Sequence, residues 1–278
     1  MVFVNASPGS EKRRREYRCK SGGLIDTHCH LDLEPLRSAF PGLLQEARDA
    51  GVQCFVVPGV HPNGWAGILA LAAEDFRVMP AFGIHPMHAG SVDDRVFEQL
   101  MKFAGQGVAI GEVGLDPGYP VPLDLQERVF REQLRIAVKG GLPVLVHCRR
   151  AFQRVLQVMR EERCDHVGGI MHAFSGSPEM AQEFIRLGFA ISVSGTVTWT
   201  NAVKPLRVAR VLPLEHLVLE TDAPDMTPQR YRGTFNRPAW LAETAQRVAD
   251  VRGISLEYVA RITSDNVRRV LRLEEGSA

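Results

Sequence analysis

The strongest constraint on the fold is an alternation that starts at residue 24 and continues through this 278-residue chain. Short apolar, β-branched runs alternate with longer segments whose apolar residues recur at helical spacing. Eight such runs are predicted strands: Leu24–His30, Cys54–Val60, Val78–His85, Val108–Leu115, Pro143–Arg149, Gly168–Ser175, Phe189–Thr198 and Leu217–Asp222. The helical pattern covers Leu36–Ala50, Asn63–Glu74, Val92–Ala104, Leu125–Lys139, Ala151–Glu162, Pro178–Leu187 and, more weakly, Ala202–Arg210; Arg237–Val251 and Leu256–Leu271 follow the last strand. Gly51, Gly140 and Gly188 stand where a left-handed residue would end a helix. Strands joined by helices run parallel, because each connection crosses over. An open dinucleotide-binding sheet would carry a Gly-rich phosphate turn after its first strand. Here that strand ends in Asp26-Thr27-His28-Cys29-His30, so a closed TIM (β/α)8 barrel is expected over residues 24–278. Such a barrel needs about 250 residues.

Residues 1–23 carry six cations against Glu11 and Glu16, a surplus of +4. The rest of the chain, whose total is +1, is therefore at about −3. This head has no apolar core and no small-residue cleavage site of a secretory signal. It reads as a basic, disordered, solvated extension. The body is not a generic basic nucleic-acid binder. No apolar run approaches the roughly 20 residues of a membrane span, so no membrane association is expected. The five cysteines, Cys19, Cys29, Cys54, Cys148 and Cys164, are odd in number and lack CxxC spacing. They predict neither a disulfide framework nor a structural zinc site, and they suit a reducing cytoplasm.

The chemistry-bearing residues fall at strand ends. His28 and His30 close the first strand, Glu112 lies late in the fourth, His147 ends the fifth, His172 lies late in the sixth and Asp222 ends the eighth. In a barrel those ends share one face, the one that holds active sites. Period-two alternation turns His28 and His30 to one side and Cys29 to the other, and likewise separates His147 from Cys148. Four imidazoles and two carboxylates exceed the needs of one tetrahedral zinc with an open position. They suit two divalent ions bridged by a carboxylate, with Mg, Mn and Zn all compatible.

These segments together resemble the TatD-like metal-dependent nucleases. The resemblance rests on Asp26-Thr27-His28-Cys29-His30, Gly83-Ile84-His85-Pro86, Ile110-Gly111-Glu112-Val113-Gly114-Leu115-Asp116, Pro143-Val144-Leu145-Val146-His147-Cys148-Arg149, His172-Ala173-Phe174-Ser175-Gly176 and Leu219-Glu220-Thr221-Asp222-Ala223-Pro224. It extends from about residue 24 to 270 and implies a TIM barrel. It also implies one ion among His28, His30, Glu112 and Asp222, a second among His147, His172 and Glu112, and hydrolysis of DNA phosphodiesters of the 3′–5′ exonuclease type. Strand four offers no lysine that could be carboxylated, which separates the chain from dihydroorotase-like and phosphotriesterase-like relatives.

Roles follow as expectations. Glu112 and Asp222 are catalytic, Asp222 orienting or deprotonating the attacking water. Arg149, two residues beyond His147, and His85, at the end of strand three, are substrate contacts for phosphate. Glu220 and Asp26, each one inward-facing position deeper than a ligand, support the histidines from behind. The substrate is DNA or another phosphodiester, no obligate protein partner is implied, and the chain is expected to act as a monomer. Two other readings use the same residues: a binuclear hydrolase of a non-nucleic-acid ester, lactone or amide, and a non-catalytic metal- or nucleic-acid-binding protein.

Overall fold

Every apolar run becomes a strand and every periodic segment a helix in the computed structural model, which describes Tyr17, Cys19 and residues 22–273. The strands are β1 (Leu24–Asp26), β2 (Val52–Pro58), β3 (Val78–Phe82), β4 (Ala109–Leu115), β5 (Val144–Cys148), β6 (Gly169–Met171), β7 (Phe189–Val193) and β8 (Leu217–Leu219). They pair in parallel in the order β1 to β8. The seam between first and last strands closes beyond the ladder: Thr27 N–H donates to Leu219 O (3.1 Å), Asp222 N–H to His28 O (2.9 Å) and His30 N–H to Ala223 O (2.9 Å). The fold is thus the (β/α)8 barrel that the alternation demands.

The helices are α1 (Phe40–Asp49), α2 (Trp65–Glu74), α3 (Arg95–Ala104), α4 (Leu123–Gly140), α5 (Phe152–Glu161), α6 (Pro178–Arg186), α7 (Lys204–Val211), α8 (Leu241–Arg252) and α9 (Leu256–Leu271). The stop expected at Gly140 falls one residue later. Helix α4 runs through Gly140, and Gly141 takes the left-handed conformation (φ 62°). Strands β1, β6 and β8 end three or four residues before the predicted limits. The residues that continue them leave the ladder in turns, with Ala173 at φ 42° and Asp222 at φ 57°. The turns begin at the open end of the barrel, where His172 N–H still donates to Val146 O (3.0 Å) and Asp222 N–H to His28 O.

Period-two alternation separates two apolar layers. Cys54 and Val56 point into the barrel with Ile25, Met79, Leu145 and Ile170, while Phe55 and Val57 face the helices. Cys29 and Cys148 belong to the helix-facing layer, away from the histidines beside them. The floor of the barrel departs from expectation. Tyr17 and Cys19 are buried in the inner cluster together with Val267 and Val270 of α9. Tyr17 donates its hydroxyl hydrogen to Gln106 O (2.8 Å). Cys19 is bonded to Cys54 in a disulfide with Cα atoms 6.0 Å apart. At these positions the head is an apolar plug stapled to β2, not a solvated tail, because Tyr17 and Cys19 are the residues of that segment able to fill the barrel's end. The bridge also removes the cysteine argument for a reducing compartment. The basic run at residues 11–16 lies outside the described residues. No described helix is long and apolar enough to cross a membrane.

Candidate active site

The open ends of β1, β3, β4, β5, β6 and β8 converge on a cavity of about 620 Å³ lined by His30, His85, Glu112, His147, His172 and Asp222, among others. Glu112, only 3% exposed, sits at its centre. Its two oxygens face different partners. Oε2 lies 3.2 Å from His28 Nε2 and 3.9 Å from His30 Nε2. Oε1 lies 2.9 Å from His147 Nδ1, 3.5 Å from His85 Nε2 and 3.7 Å from His172 Nε2. Asp222 Oδ1 completes the first side, 3.8 Å from His28 Nε2, 3.6 Å from His30 Nε2 and 3.7 Å from His172 Nε2. Six of the residues picked from strand ends, with His85, therefore meet in one place.

Carboxylates behind the rings set which nitrogen faces inward. Glu220 is wholly buried; it accepts from His172 Nδ1 (3.0 Å) and from the Ala173 N–H (2.6 Å). His172 thereby carries a proton on Nδ1 and presents Nε2 to the centre. Asp116 does the same for His147, facing Nε2 at 3.1 Å and leaving Nδ1 toward Glu112. His85 is oriented oppositely. Its Nδ1 accepts the Met87 N–H (3.2 Å), so its Nε2 is the donor. Asp26 meets no imidazole nitrogen; it accepts from Thr221 N–H (2.9 Å), Thr221 Oγ1 (2.6 Å) and His28 N–H (3.3 Å). It braces the β1–β8 seam on which His28 and Asp222 ride, rather than a ring. The Nδ1 atoms of His28 and His30 are buried without a partner. The His28 ring is instead held by stacking on His172, centroids 3.5 Å apart.

The residues that hold the strand ends carry little signal in the sequence. Gln126 and Gln133, both buried on α4, clamp backbone groups on both sides. Gln133 accepts from Ile84 N–H (2.7 Å) and donates to Ile84 O (3.1 Å). Gln126 does so with Asp116 N–H (2.8 Å) and O (3.0 Å). Two uncharged residues seven apart on the inward face of a helix are the one signal that was available. Gly114 matters for the opposite reason. A Cβ there would lie 1.8 Å from His147 O, so β4 and β5 can approach only because it has none.

Burial and mutual charge set the protonation pattern. Burial resists ionisation of Glu112, yet the imidazoles of His85, His28 and His172 outweigh it and hold its carboxyl well below the ordinary range. Burial likewise resists charge on His172, but Glu220, Asp222 and Glu112 raise it to about 10. His30 is raised to about 9 against burial by Asp222 and Glu112. His85, desolvated beside other imidazoles, drops to about 3 and is neutral. Without a cation, the anionic carboxylates are thus neutralised by protons on histidines, a charge that a metal ion can replace.

The donor set fits such ions. Nitrogen and oxygen ligands at about 2.0–2.2 Å in a tetrahedral array lie roughly 3.3–3.6 Å from one another. Many of the separations quoted above fall in or near that interval. Grouped side-chain atoms occur as His28–His30–Asp222 on one side and His85–Glu112–His147 on the other, where His85, with its proton on Nε2, offers a hydrogen rather than a lone pair. A third grouping, His28–His172–Glu220, includes the hydrogen bond between Glu220 and His172 Nδ1. Arg149 lies exposed at the rim of the cavity.

A parallel barrel with this cluster at its open end has the architecture of a metal-dependent hydrolase. The family described as "TatD related DNase" matches residues 25–272. An uncharacterised metal-dependent hydrolase of Bacillus subtilis, YabD, is 34% identical over 90% of this chain and 99% of its own length. YjjV of Escherichia coli, also described as an uncharacterised metal-dependent hydrolase, is 35% identical over 87% of this chain and 95% of its own. The crystal structure of YjjV, a TatD homologue, superposes with a TM-score of 0.85 over 90% of this chain and 98% of that one. The chain belongs to the TatD family of metal-dependent hydrolases. An organophosphorus hydrolase of Deinococcus radiodurans (TM-score 0.62, 15% identity) shares the fold.

Proposed function

We propose that the protein is a binuclear phosphodiesterase that hydrolyses DNA from a 3′ end and acts as a monomer. The observation that carries this reading is the division of Glu112 between two donor sets, with Oε2 toward His28 and His30 and Oε1 toward His147 and His172. One ion would be held by His28, His30, Asp222 and Glu112, the other by His147, His172 and Glu112. The abundance of imidazole leans toward Mn or Zn over Mg. Bound there, the pair supplies Lewis acidity toward the phosphoryl oxygens and lowers the pKa of water.

The chain's own groups do the rest. Asp222, held at the mouth of the cavity by the His28 O···H–N bond, orients the attacking water and takes its proton. His85, neutral and with its proton on Nε2, donates a hydrogen bond to a phosphoryl oxygen. Arg149 at the rim adds a fixed positive charge for the same group. Glu220 and Asp116 keep the tautomers of His172 and His147 correct. The family description as DNase supports the choice of DNA.

The test is a metal-reconstituted assay on 3′-labelled single-stranded DNA, RNA, a small phosphodiester and a carboxylic ester, with a chelator control. Stepwise release of nucleotides that stops with chelator is expected. Turnover confined to the carboxylic ester would overturn the proposal.

A further inference from the structure

Next to the catalytic cavity lies a second groove of about 770 Å³, between the start of α5, the loop after β6 and the start of α7. The two cavities share Arg149 and Ser175, so the groove continues outward from the active site. Its lining includes Arg149, Arg150, Arg154 and Lys204 and no carboxylate. Arg154 is paired with Glu127. Arg150 and Lys204 are exposed and have no ion-pair partner among the described residues. Across the rest of the surface arginines are mostly matched, as Arg131 is by Glu127, Glu161 and Glu162. A groove lined by four cations and no carboxylate, on a body with a net charge of about −3, has a direction: it leads away from the catalytic centre.

We propose that this groove is a binding site for the phosphates flanking the scissile bond, so that the strand leaves the active site past Arg149 and lies across Arg150 and Lys204. The proposal rests on the phosphodiesterase reading. A positively charged track that follows the backbone is how proteins hold a single strand without reading its sequence. It separates polynucleotides from small diesters, because only a substrate with neighbouring phosphates reaches Arg150 and Lys204. The Ser175 hydroxyl on the opposite wall can hydrogen-bond a phosphate oxygen.

The test is binding by the metal-free protein in chelator, read as fluorescence anisotropy of a labelled oligothymidylate of about a dozen residues across a salt series. Each phosphate contact to a single strand contributes a slope of about −0.7 to log K against log salt. Loss of two contacts in the Arg150→Gln/Lys204→Gln double variant should lower affinity about 25-fold at 0.1 M salt and reduce the slope by about 1.4. An Arg210→Gln control, at the far end of α7, should bind like the unaltered protein. In the reconstituted protein, the double variant should also lower the ratio of kcat/KM on the oligonucleotide to that on a small phosphodiester. Unaltered affinity and slope in the double variant, or a loss as large in the Arg210 control, would overturn the groove assignment. Failure of the unaltered, metal-loaded protein to hydrolyse any oligonucleotide would instead overturn the function on which it rests.

Discussion

Replacing Glu220 by Gln isolates one hydrogen bond at the back of the site. The substitution keeps the volume of a fully buried side chain and removes only its charge. Glu220 now accepts from two donors, Ala173 N–H and His172 Nδ1. Gln has one accepting oxygen, so its NH2 must face one of them. If it faces Ala173, two donors oppose each other at the 2.6 Å contact. If it faces His172, Nδ1 must become the acceptor and the proton moves to Nε2, the nitrogen aimed at Glu112 and Asp222 and needed for ligation. Restoring the ligating tautomer then forfeits a charge-assisted hydrogen bond worth about 1.5–3 kcal/mol. That corresponds to roughly a 10- to 100-fold loss of metal affinity, the usual range for such supporting groups. Competition with a chromogenic chelator at constant pH measures it, and circular dichroism reports whether the barrel is intact. A folded Glu220→Gln protein that binds metal as tightly as the unaltered one would refute the assignment of Glu220 as the group that sets the His172 tautomer.

Other consequences are equally direct. Gly114→Ala places a methyl 1.8 Å from His147 O and should cost about 3 kcal/mol or more in chemical denaturation, since the clash is with backbone and φ is 153°; a loss under about 1 kcal/mol would contradict the packing of β4 on β5. Breaking the Cys19–Cys54 bridge, which spans 35 residues, by Cys19→Ser should lower stability by about 3–4 kcal/mol; an unchanged melting temperature, with or without reductant, would deny the stapled floor. Glu127 and Glu162 resist ionisation through burial, but Arg154 and Arg131 at the first, and Arg135 and Arg131 at the second, hold both below 4.5. A carboxyl depressed in the folded state stabilises it above the unfolded value and loses that contribution as pH falls. Melting temperature should therefore decline from about pH 4.5 downward, and Arg131→Ala should flatten the decline; equal slopes in both proteins would argue against the ion-pair network.

The barrel was legible because its period is written twice, once in the eight apolar runs and once in the helices between them. The cluster was legible because strand ends gather at one face, so His28, Glu112, His147, His172 and Asp222 could be expected to meet without knowing any distance. What escaped depends on contacts between elements. Asp116 takes its role only from the His147 Nε2 beside it, and Gln126 and Gln133 look like any glutamines on a helix. Asp26 has the same spacing from His28 as Glu220 has from Asp222, yet one braces backbone and the other a ring. The difference is set by which neighbouring strand each one meets. Cys19 pairs with Cys54 although no motif links them, because Tyr17 and Cys19 are buried in the barrel's floor beside β2.

One carboxylate, Glu112, would join the two proposed metal sites. Anomalous diffraction from crystals equilibrated with Mn or Zn tests it most directly. Two peaks are expected, one on each side of the Glu112 carboxylate, the first against His28, His30 and Asp222 and the second against His147 and His172. Glu112→Ala should then lose at least one of them. A single peak at full metal saturation, or two peaks with Glu112 bound to only one, would contradict the account.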